Sequence, residues 1–569
     1  MTNQEIAHIL IHISEILSIQ GENSFKIRAY VRAAQTIEGL TDELSALEDP
    51  KEIAKLPGIG AGIAKKLTEL LEQGKSEYYE KLKQSEYAPL TEFLKIPGMG
   101  PKHSKLVYDQ LGIKTVEALG KAAEAGRLKA LHGLGAKVEQ TILQGIQQSQ
   151  KYKERLPLAS VYPQAEAILE GLKKQKGIKN AILAGSLRRM RDTIADVDIL
   201  VAAKDAARVM DAFVRLPEAK KVLAKGETKS SIITKEGFQA DLRVVQPESF
   251  GAACHYFTGS KAHNIRIRSL GLEKGLKVNE YGVFKKDTRI AGKTEKEVFE
   301  AVGLPYIPPE LREDHGEIEA AQDNRLPALV ELKHIRGDLH VHSDWTDGHN
   351  TVEEMARAAR DRGYRYVAIC DHSPAVAVTH GLGPERLLRQ KEEIERSNRK
   401  FKDFRILTGI EMDIRSDGRL DLEDEILERL DVVVASIHSG FAQPEAEITR
   451  RIVKAIENPH VDIIAHPTGR LIGRREPYPV DMTKVMDACK ANGTILELNA
   501  YPERLDLSDL NCRKAKEKGI KIAISTDSHR VGHLEWMVFG IATARRGWLE
   551  PQDVINTLPL NKLLRLLKH

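Results

Sequence analysis

Seven short apolar runs follow one another from residue 337 onward: GDLHVHS, YVAICDHS, RILTGIEMDI, DVVVASIHS, VDIIAHPT, GTILELNA and KIAISTDSH. Almost every one ends in a histidine, an aspartate or a glutamate. The ligand-competent residues are His340, His342, Asp347, His372, Glu411, His438, His466, Asp527 and His529. Neutral imidazole mixed with carboxylate, without cysteine, suits Zn²⁺, Mn²⁺ or Fe²⁺ rather than Mg²⁺ or a structural zinc. At roughly three or four protein ligands per ion, with a position left for water, the set fits two or three ions. Such a site lowers the pKa of bound water and neutralises phosphoryl oxygens, so phosphoester hydrolysis is the reaction it implies.

A second group of carboxylates stands earlier. In AGSLRRMRDTIADVDILV, Asp196 and Asp198 lie two apart in a strand-like run. Period two points both side chains to one face, where they can hold divalent cations against a triphosphate. Asp241, in ADLRVV, enters or ends another run and completes the set. Oxygen ligands suit Mg²⁺ or Mn²⁺, and two such ions about 3.5–4 Å apart activate an attacking hydroxyl and stabilise leaving pyrophosphate. The implied chemistry is nucleotidyl transfer. Upstream, GSLRR offers a turn N–H, the Ser186 hydroxyl and the Arg189 charge to the triphosphate.

A third pattern repeats near the start. LPGIGAGIAKKL, IPGMGPKHSKLV and LHGLGAKVEQTI place Gly58 and Gly60, Gly98 and Gly100, and Gly133 and Gly135 between an apolar entry and a helical exit. Glycine permits positive φ and lets backbone N–H groups approach an anion at the start of the next helix, without regard to base sequence. One such turn is compatible with a plain helix–helix connection. Three in series resemble the helix-hairpin-helix motif of DNA-binding proteins.

These residues need different frames to position them. Residues 1 to about 150 are helical in pattern, about 155 to 315 mix strands and helices in an α+β manner, and a proline-rich, charged stretch then reads as a linker. From about 335 onward strands alternate with helices, the pattern of a parallel β/α barrel, which gathers strand-end residues on one rim. At 569 residues several domains are expected. A net charge of +4 is too small to argue for nucleic acid alone, and four scattered cysteines build neither a disulfide framework nor a CxxC zinc site. The start MTNQEIAHILIHISEIL does not suit a signal peptide, and no run approaches ~18 apolar residues. A soluble, cytoplasmic protein off the membrane is expected.

The order GSLRR, DVD, DLR and YFTGSKAHNIRIRSLGLEKGLKVNEYGVF, with the hairpins before it, resembles the family X DNA polymerases typified by DNA polymerase beta, over about residues 1–315. That resemblance implies that Asp196, Asp198 and Asp241 are the catalytic metal-binding triad, with Ser186 and Arg189 as triphosphate ligands. It also implies that Tyr256, Phe257 and Gly259 line the incoming sugar, that Asn264 contacts the nucleotide and that Arg268 contacts the template. The family's small N-terminal domain can carry a lyase, whose Schiff-base lysine would be Lys66, with Lys26 and Tyr30 near a 5′-phosphate. Gly62 and Phe25 depart from the family's basic and histidine positions, so weak or absent lyase activity is expected.

The strand-end set resembles the PHP domain, named for polymerase and histidinol phosphatase, over about residues 333–569. The resemblance groups His340, His342, Glu411 and Asp527 on one ion, Glu411, His438 and His466 on a second, and Asp347, His372 and His529 on a third. Asp344 is expected to be a bystander, and the basic loop LIGRREPYPV could guide a strand.

The implied domains are a small helical domain with the first hairpin (1–85), fingers with further hairpins (86–155), palm (156–250), thumb (251–315), linker (316–334) and a distorted (β/α)7 PHP barrel (335–569). The implied function is gap filling in base excision repair by a DNA-directed DNA polymerase, with a metal-dependent 3′→5′ exonuclease that also could incise abasic sites. Its expected partners are gapped or primer-template DNA and deoxynucleoside triphosphates, and the chain is expected to be a monomer. Two other readings are a histidinol phosphatase-like phosphoesterase with DNA-binding modules and a non-catalytic DNA-binding scaffold.

Overall fold

The computed structural model describes the chain except residues 2, 39–43, 45–49, 57, 97, 132, 152–154, 376–378 and 568–569. It contains two compact units, Met1–Arg155 and Leu156–His569. No helix among the described residues is long and apolar enough to cross a membrane.

The first unit is helical and holds two apolar cores. One gathers Leu10, Ile13, Tyr30, Ile63 and Leu67, the other Leu90, Phe93, Val107, Leu119 and Ile142. Each glycine hairpin turns through a positive-φ residue, Gly58, Gly98 or Gly133. The helices Ala61–Gln73, Pro101–Leu111 and Ala136–Lys151 start directly after Gly60, Gly100 and Gly135. The N–H groups of a helix's first turn lack intrahelical acceptors. Three such turns are therefore built alike.

In the second unit a five-stranded sheet runs in the order Ile178–Leu183, Asp196–Ala203, Gln239–Val245, Lys229–Thr234, Ala219–Lys225. Alternation sorts the second of these strands cleanly. Val197, Ile199 and Val201 pack with helices Leu158–Lys173 and Ala206–Val214, while Leu200 packs with Ala253 and Cys254 of helix Phe250–Thr258. Asp196 and Asp198 share the Leu200 face. A smaller part follows, with helix Lys261–Glu273 and an antiparallel sheet of Leu276–Asn279, Gly282–Lys285 and Thr288–Ala291.

The stretch expected to be a linker is packed instead. It holds helix Glu317–Gln322, and Ile318, Ala321 and Leu329 enter the core of the preceding part. Val330 joins the barrel core, and its N–H donates to the Leu549 carbonyl at 2.9 Å. Proline and charge disguised a short amphipathic helix.

Seven parallel strands then follow in sequence order, from Gly337–Val341 to Ile522–Ser525. The end of the seventh returns to the first: Asp527 N–H donates to the His340 carbonyl at 3.0 Å, and His342 N–H to the Ser528 carbonyl at 2.9 Å. That contact draws the sheet towards a barrel. Inside it lie Leu339, Tyr366, Val434 and Ile463 with Leu563 and Leu567 of the C-terminal helix Leu560–Leu567.

Candidate active sites

Asp198 and Asp241 stand opposite each other on neighbouring parallel strands, and Asp196 lies on the same face as Asp198. All three sequence-predicted carboxylates are thus brought together. Burial, with Asp196 and Asp241 adding their charges, pushes the Asp198 carboxyl up to about 7. Asp241 is fixed at both oxygens: Gln239 Nε2 donates to Oδ1 at 2.8 Å, and Lys229 Nζ lies 2.7 Å from Oδ2. Three carboxylates crowded together repel one another unless a cation is held between them.

The GSLRR turn abuts this cluster. Ala184 N–H donates to the Asp198 carbonyl at 2.7 Å. Gly185 has φ of +60°, and a Cβ there would collide with Asp198 Oδ2, so only glycine fits. The short helix Gly185–Arg188 carries Ser186. Arg189 reaches inward: its Nε lies 2.9 Å from Glu313 Oε1 and its Nη1 donates to the Thr258 carbonyl at 2.7 Å. Arg188 pairs with Glu295 at 2.6 Å and with the Thr258 hydroxyl at 2.6 Å. Two arginines therefore tie GSLRR to YFTG.

In that second segment the Asn264 amide donates to the Tyr256 carbonyl at 2.6 Å, and a Cβ on Gly259 would lie 2.7 Å from Asn264 Oδ1. Arg243 stacks over the Phe257 ring at 4.5 Å. Arg268 is exposed on the next turn of the same helix as Asn264. Thr258, Glu295 and Glu313, which hold the two arginines, have no local signature in the sequence.

In the first unit Lys66 Nζ sits 4.7 Å over the Tyr78 ring and donates to the Gly62 carbonyl at 2.9 Å. Tyr30 stacks on the same ring. Burial, and then the charge of Lys26, lower the Lys66 amine. Gly62 has open space around its Cβ position, and Phe25 is 75 % exposed.

All nine predicted ligands converge at the strand ends of the barrel. His342 Nε2 lies 3.1 Å from Asp527 Oδ1 and 3.2 Å from His340 Nε2. His372 Nδ1 lies 2.8 Å from Glu411 Oε2, and His438 and His466 Nε2 lie 3.2 and 3.1 Å from Glu411 Oε1. Asp347 Oδ2 lies 3.4 Å from His372 Nε2 and 3.3 Å from His529 Nε2. Among the described residues three ligand groups emerge: His340, His342 and Asp527; His372, Glu411 and His438; and His342, Asp347, His372 and His529, while His466 approaches Glu411 but joins none of them. His342 and His372 are each shared by two groups, which the family pattern assigned to one apiece. Asp344 is exposed and outside every group.

The residues fit cations. His342 Nδ1 is buried and makes no hydrogen bond, and the Nε2 atoms of His340 and His342 face each other at 3.2 Å. Burial and the neighbouring His529 and His372 push His342 down to about 3, keeping it neutral and ligand-competent. Burial opposes ionisation of Glu411, yet His438, His372 and His340 hold its carboxyl well below the usual range.

Further carboxylates orient the ligands. Glu497 Oε1 lies 2.8 Å from His340 Nδ1, leaving Nε2 for the cluster, and its Oε2 accepts from His466 N–H at 2.8 Å. Asp413 stands 3.3 Å from His438 Nδ1. Glu497 occupies GTILELNA, the one run that supplied none of the nine, and this gap was its signal. Replacing Glu497 with glutamine is expected to weaken Mn²⁺ or Zn²⁺ affinity by about 10–100-fold, read by equilibrium dialysis with metal analysis. Both arginines of the basic loop have partners: Arg474 Nη1 lies 2.9 Å from Glu503 Oε2, and Arg475 covers the Phe441 ring at 4.2 Å.

Family models match along most of the chain: a helix-hairpin-helix domain at residues 1–76, a SAM-like helix-hairpin-helix tandem at 90–148, the DNA polymerase beta thumb at 253–313 and the PHP domain at 338–500. The chain is 41 % identical over 572 residues to "DNA polymerase/3'-5' exonuclease PolX" of Bacillus subtilis (strain 168), covering all of both chains. Probable phosphatases of Thermoanaerobacter sp. (strain X514) and Acetivibrio thermocellus are 35 % and 36 % identical over 34 % of this chain and 78 % of their own. With the hairpin, thumb and PHP models matched and a polymerase relative 41 % identical over the whole of both chains, the chain belongs to the family X DNA polymerases that carry a C-terminal PHP domain.

Proposed function

We propose that the chain is a DNA-directed DNA polymerase that fills short gaps during DNA repair, and that its PHP barrel is a metal-dependent 3′→5′ exonuclease. The observation that carries this reading is that both sites are assembled: Asp198 faces Asp241 beside the GSLRR turn, and eight of the nine strand-end residues fall into ligand groups, with the ninth, His466, 3.1 Å from Glu411.

In the palm, Asp196, Asp198 and Asp241 would hold Mg²⁺ or Mn²⁺, which would supply activation of a primer 3′-hydroxyl and charge neutralisation for the leaving pyrophosphate. Ser186 and Arg189 receive the triphosphate of a deoxynucleotide. Tyr256, Phe257 and Gly259 border its sugar, where backbone bulk opposes a 2′-hydroxyl. Asn264 meets the nucleotide and Arg268 the template strand. The hairpins at Gly58 and Gly60, Gly98 and Gly100, and Gly133 and Gly135 grip gapped DNA by its phosphates, giving affinity without sequence preference.

In the barrel, two or three Mn²⁺ or Zn²⁺ ions would supply an activated water and charge neutralisation for phosphodiester hydrolysis. His340, His342, Glu411 and Asp527 would hold one ion, Glu411 with His438 and His466 a second, and Asp347, His372 and His529 a third. The same site would serve incision at abasic sites. The enzyme is proposed to act as a cytoplasmic monomer.

One labelled primer on gapped DNA tests both halves, with Asp196/Asp198→Ala and His340/His342→Ala compared with the parent chain. Extension is expected to vanish only in the first and shortening only in the second. The similarity of about a third of the chain to probable phosphatases favours a second reading, a small-molecule phosphoesterase. Release of phosphate from histidinol phosphate, with no shortening of DNA, would establish it instead. For Lys66, borohydride trapping on an incised abasic duplex is expected to yield little adduct, because Gly62 and Phe25 provide no cation for the 5′-phosphate. A strong adduct that Lys66→Ala abolishes would reverse that expectation.

A further inference from the structure

We propose that Arg546, which belongs to the barrel half of the chain, is a positioning residue for the nucleotide site of the palm. The inference rests on the reading of GSLRR as the triphosphate turn.

Arg546 ends helix Met537–Arg546, and its side chain is 5 % exposed. Nη1 donates to the main-chain carbonyl of Arg189 at 3.0 Å and to Glu313 Oε1 at 3.1 Å. Nη2 donates to Asp509 Oδ2 at 2.6 Å, at the start of helix Asp509–Lys518. One planar guanidinium therefore joins two rigid helices of the barrel to the residue that closes the GSLRR turn. Arg suits this task because its donors diverge from a fixed plane, which a lysine ammonium cannot reproduce.

The same contact divides the counterion of Arg189. Glu313 Oε1 is shared by Arg189 at 2.9 Å, Arg546 at 3.1 Å and, further off, Arg191 at 3.8 Å. Burial works against the Glu313 carboxylate, yet Arg546 and then Arg189 hold its pKa down to about 2. When the Arg189 guanidinium turns towards a triphosphate, Glu313 keeps Arg546 as its counterion. No buried carboxylate is orphaned by that movement. Without Arg546, Glu313 would compete undivided for Arg189, and the turn would lose the donor to its carbonyl. Both effects weaken nucleotide binding, and neither touches the metal rim of the barrel.

The ordinary alternative is that this ion cluster only fastens palm to barrel, in which case its loss would lower stability and both activities together. The full chain and its Arg546→Ala, Arg546→Lys and Asp509→Asn variants are compared on a single-nucleotide gap. The KM for deoxynucleotide and kcat are measured alongside the exonuclease rate and thermal midpoint of the same preparations. Arg546→Ala is expected to raise KM about tenfold with kcat and exonuclease rate held within about twofold, and the other two variants to raise KM by about threefold. Should Arg546→Ala not fold, the charge-retaining Arg546→Lys and isosteric Asp509→Asn carry the test. An unchanged KM, or extension and exonuclease falling in parallel with the thermal midpoint, overturns the proposal. Asp196→Asn is run beside them: loss of extension sustains the nucleotide-site reading, and persistent extension removes it whatever Arg546→Ala does.

Discussion

Asp198→Asn is expected to abolish primer extension on gapped DNA while strand shortening continues at its normal rate. Asp198 lies between two strand neighbours in register with Asp241, and burial together with two adjacent carboxylates raises its pKa to about 7. The amide matches the carboxylate in shape but lacks the charge that a divalent ion requires. The loss of one metal ligand is expected to cost about 4 kcal/mol of transition-state stabilisation, roughly 10³-fold in rate. Single-turnover extension with saturating deoxynucleotide measures it directly. A variant within tenfold of the parent chain would remove Asp198 from the chemistry.

The converse experiment targets the barrel. His340→Ala and Asp527→Ala are each expected to reduce 3′→5′ shortening by about 10³-fold or more and to leave extension intact. His340 is fully buried, and its Nε2 faces His342 Nε2, with Asp527 Oδ1 3.1 Å from the latter. Removing either leaves the group with too few donors to retain an ion. Metal analysis of the purified variants should show at least one ion fewer per chain, a readout independent of turnover. Normal metal content with normal shortening would refute the ligand assignment. Normal metal content with lost shortening would instead move these residues from holding a metal to holding substrate.

Much of this arrangement was legible because it is periodic. Asp196 and Asp198 are two apart, and a strand turns that spacing into a shared face. The barrel ligands recur at the ends of apolar runs, and a parallel barrel converts that rhythm into a rim. The sharing of His342 and His372 between ligand groups was hidden, since strand order fixes neighbourhood without fixing which ring nitrogen points where. Glu313 and Arg546 were equally hidden: 233 residues separate them, and a buried arginine on a helix reads as a solvated charge. Glu317 misled for the same reason. Its carboxylate suggested an exposed linker, yet it is fully buried 2.7 Å from His263 Nδ1.

The closing of the barrel onto its first strand also sets an order of events during synthesis. Thr526 N–H donates to Asp338 at 3.2 Å across 188 residues, and the His340 carbonyl acquires its partner only when Asp527 exists. Contacts so distant along the chain form late, since the intervening loop must be closed before they repay it. On the ribosome, the aspartates of the palm can pair as soon as residue 241 has emerged. The strand carrying His340 and His342 must wait for nearly the whole of its own domain, and the Arg189 carbonyl waits 357 residues for Arg546. A half-made chain can hold the palm's carboxylates in place, but it cannot yet hold the metals of the barrel.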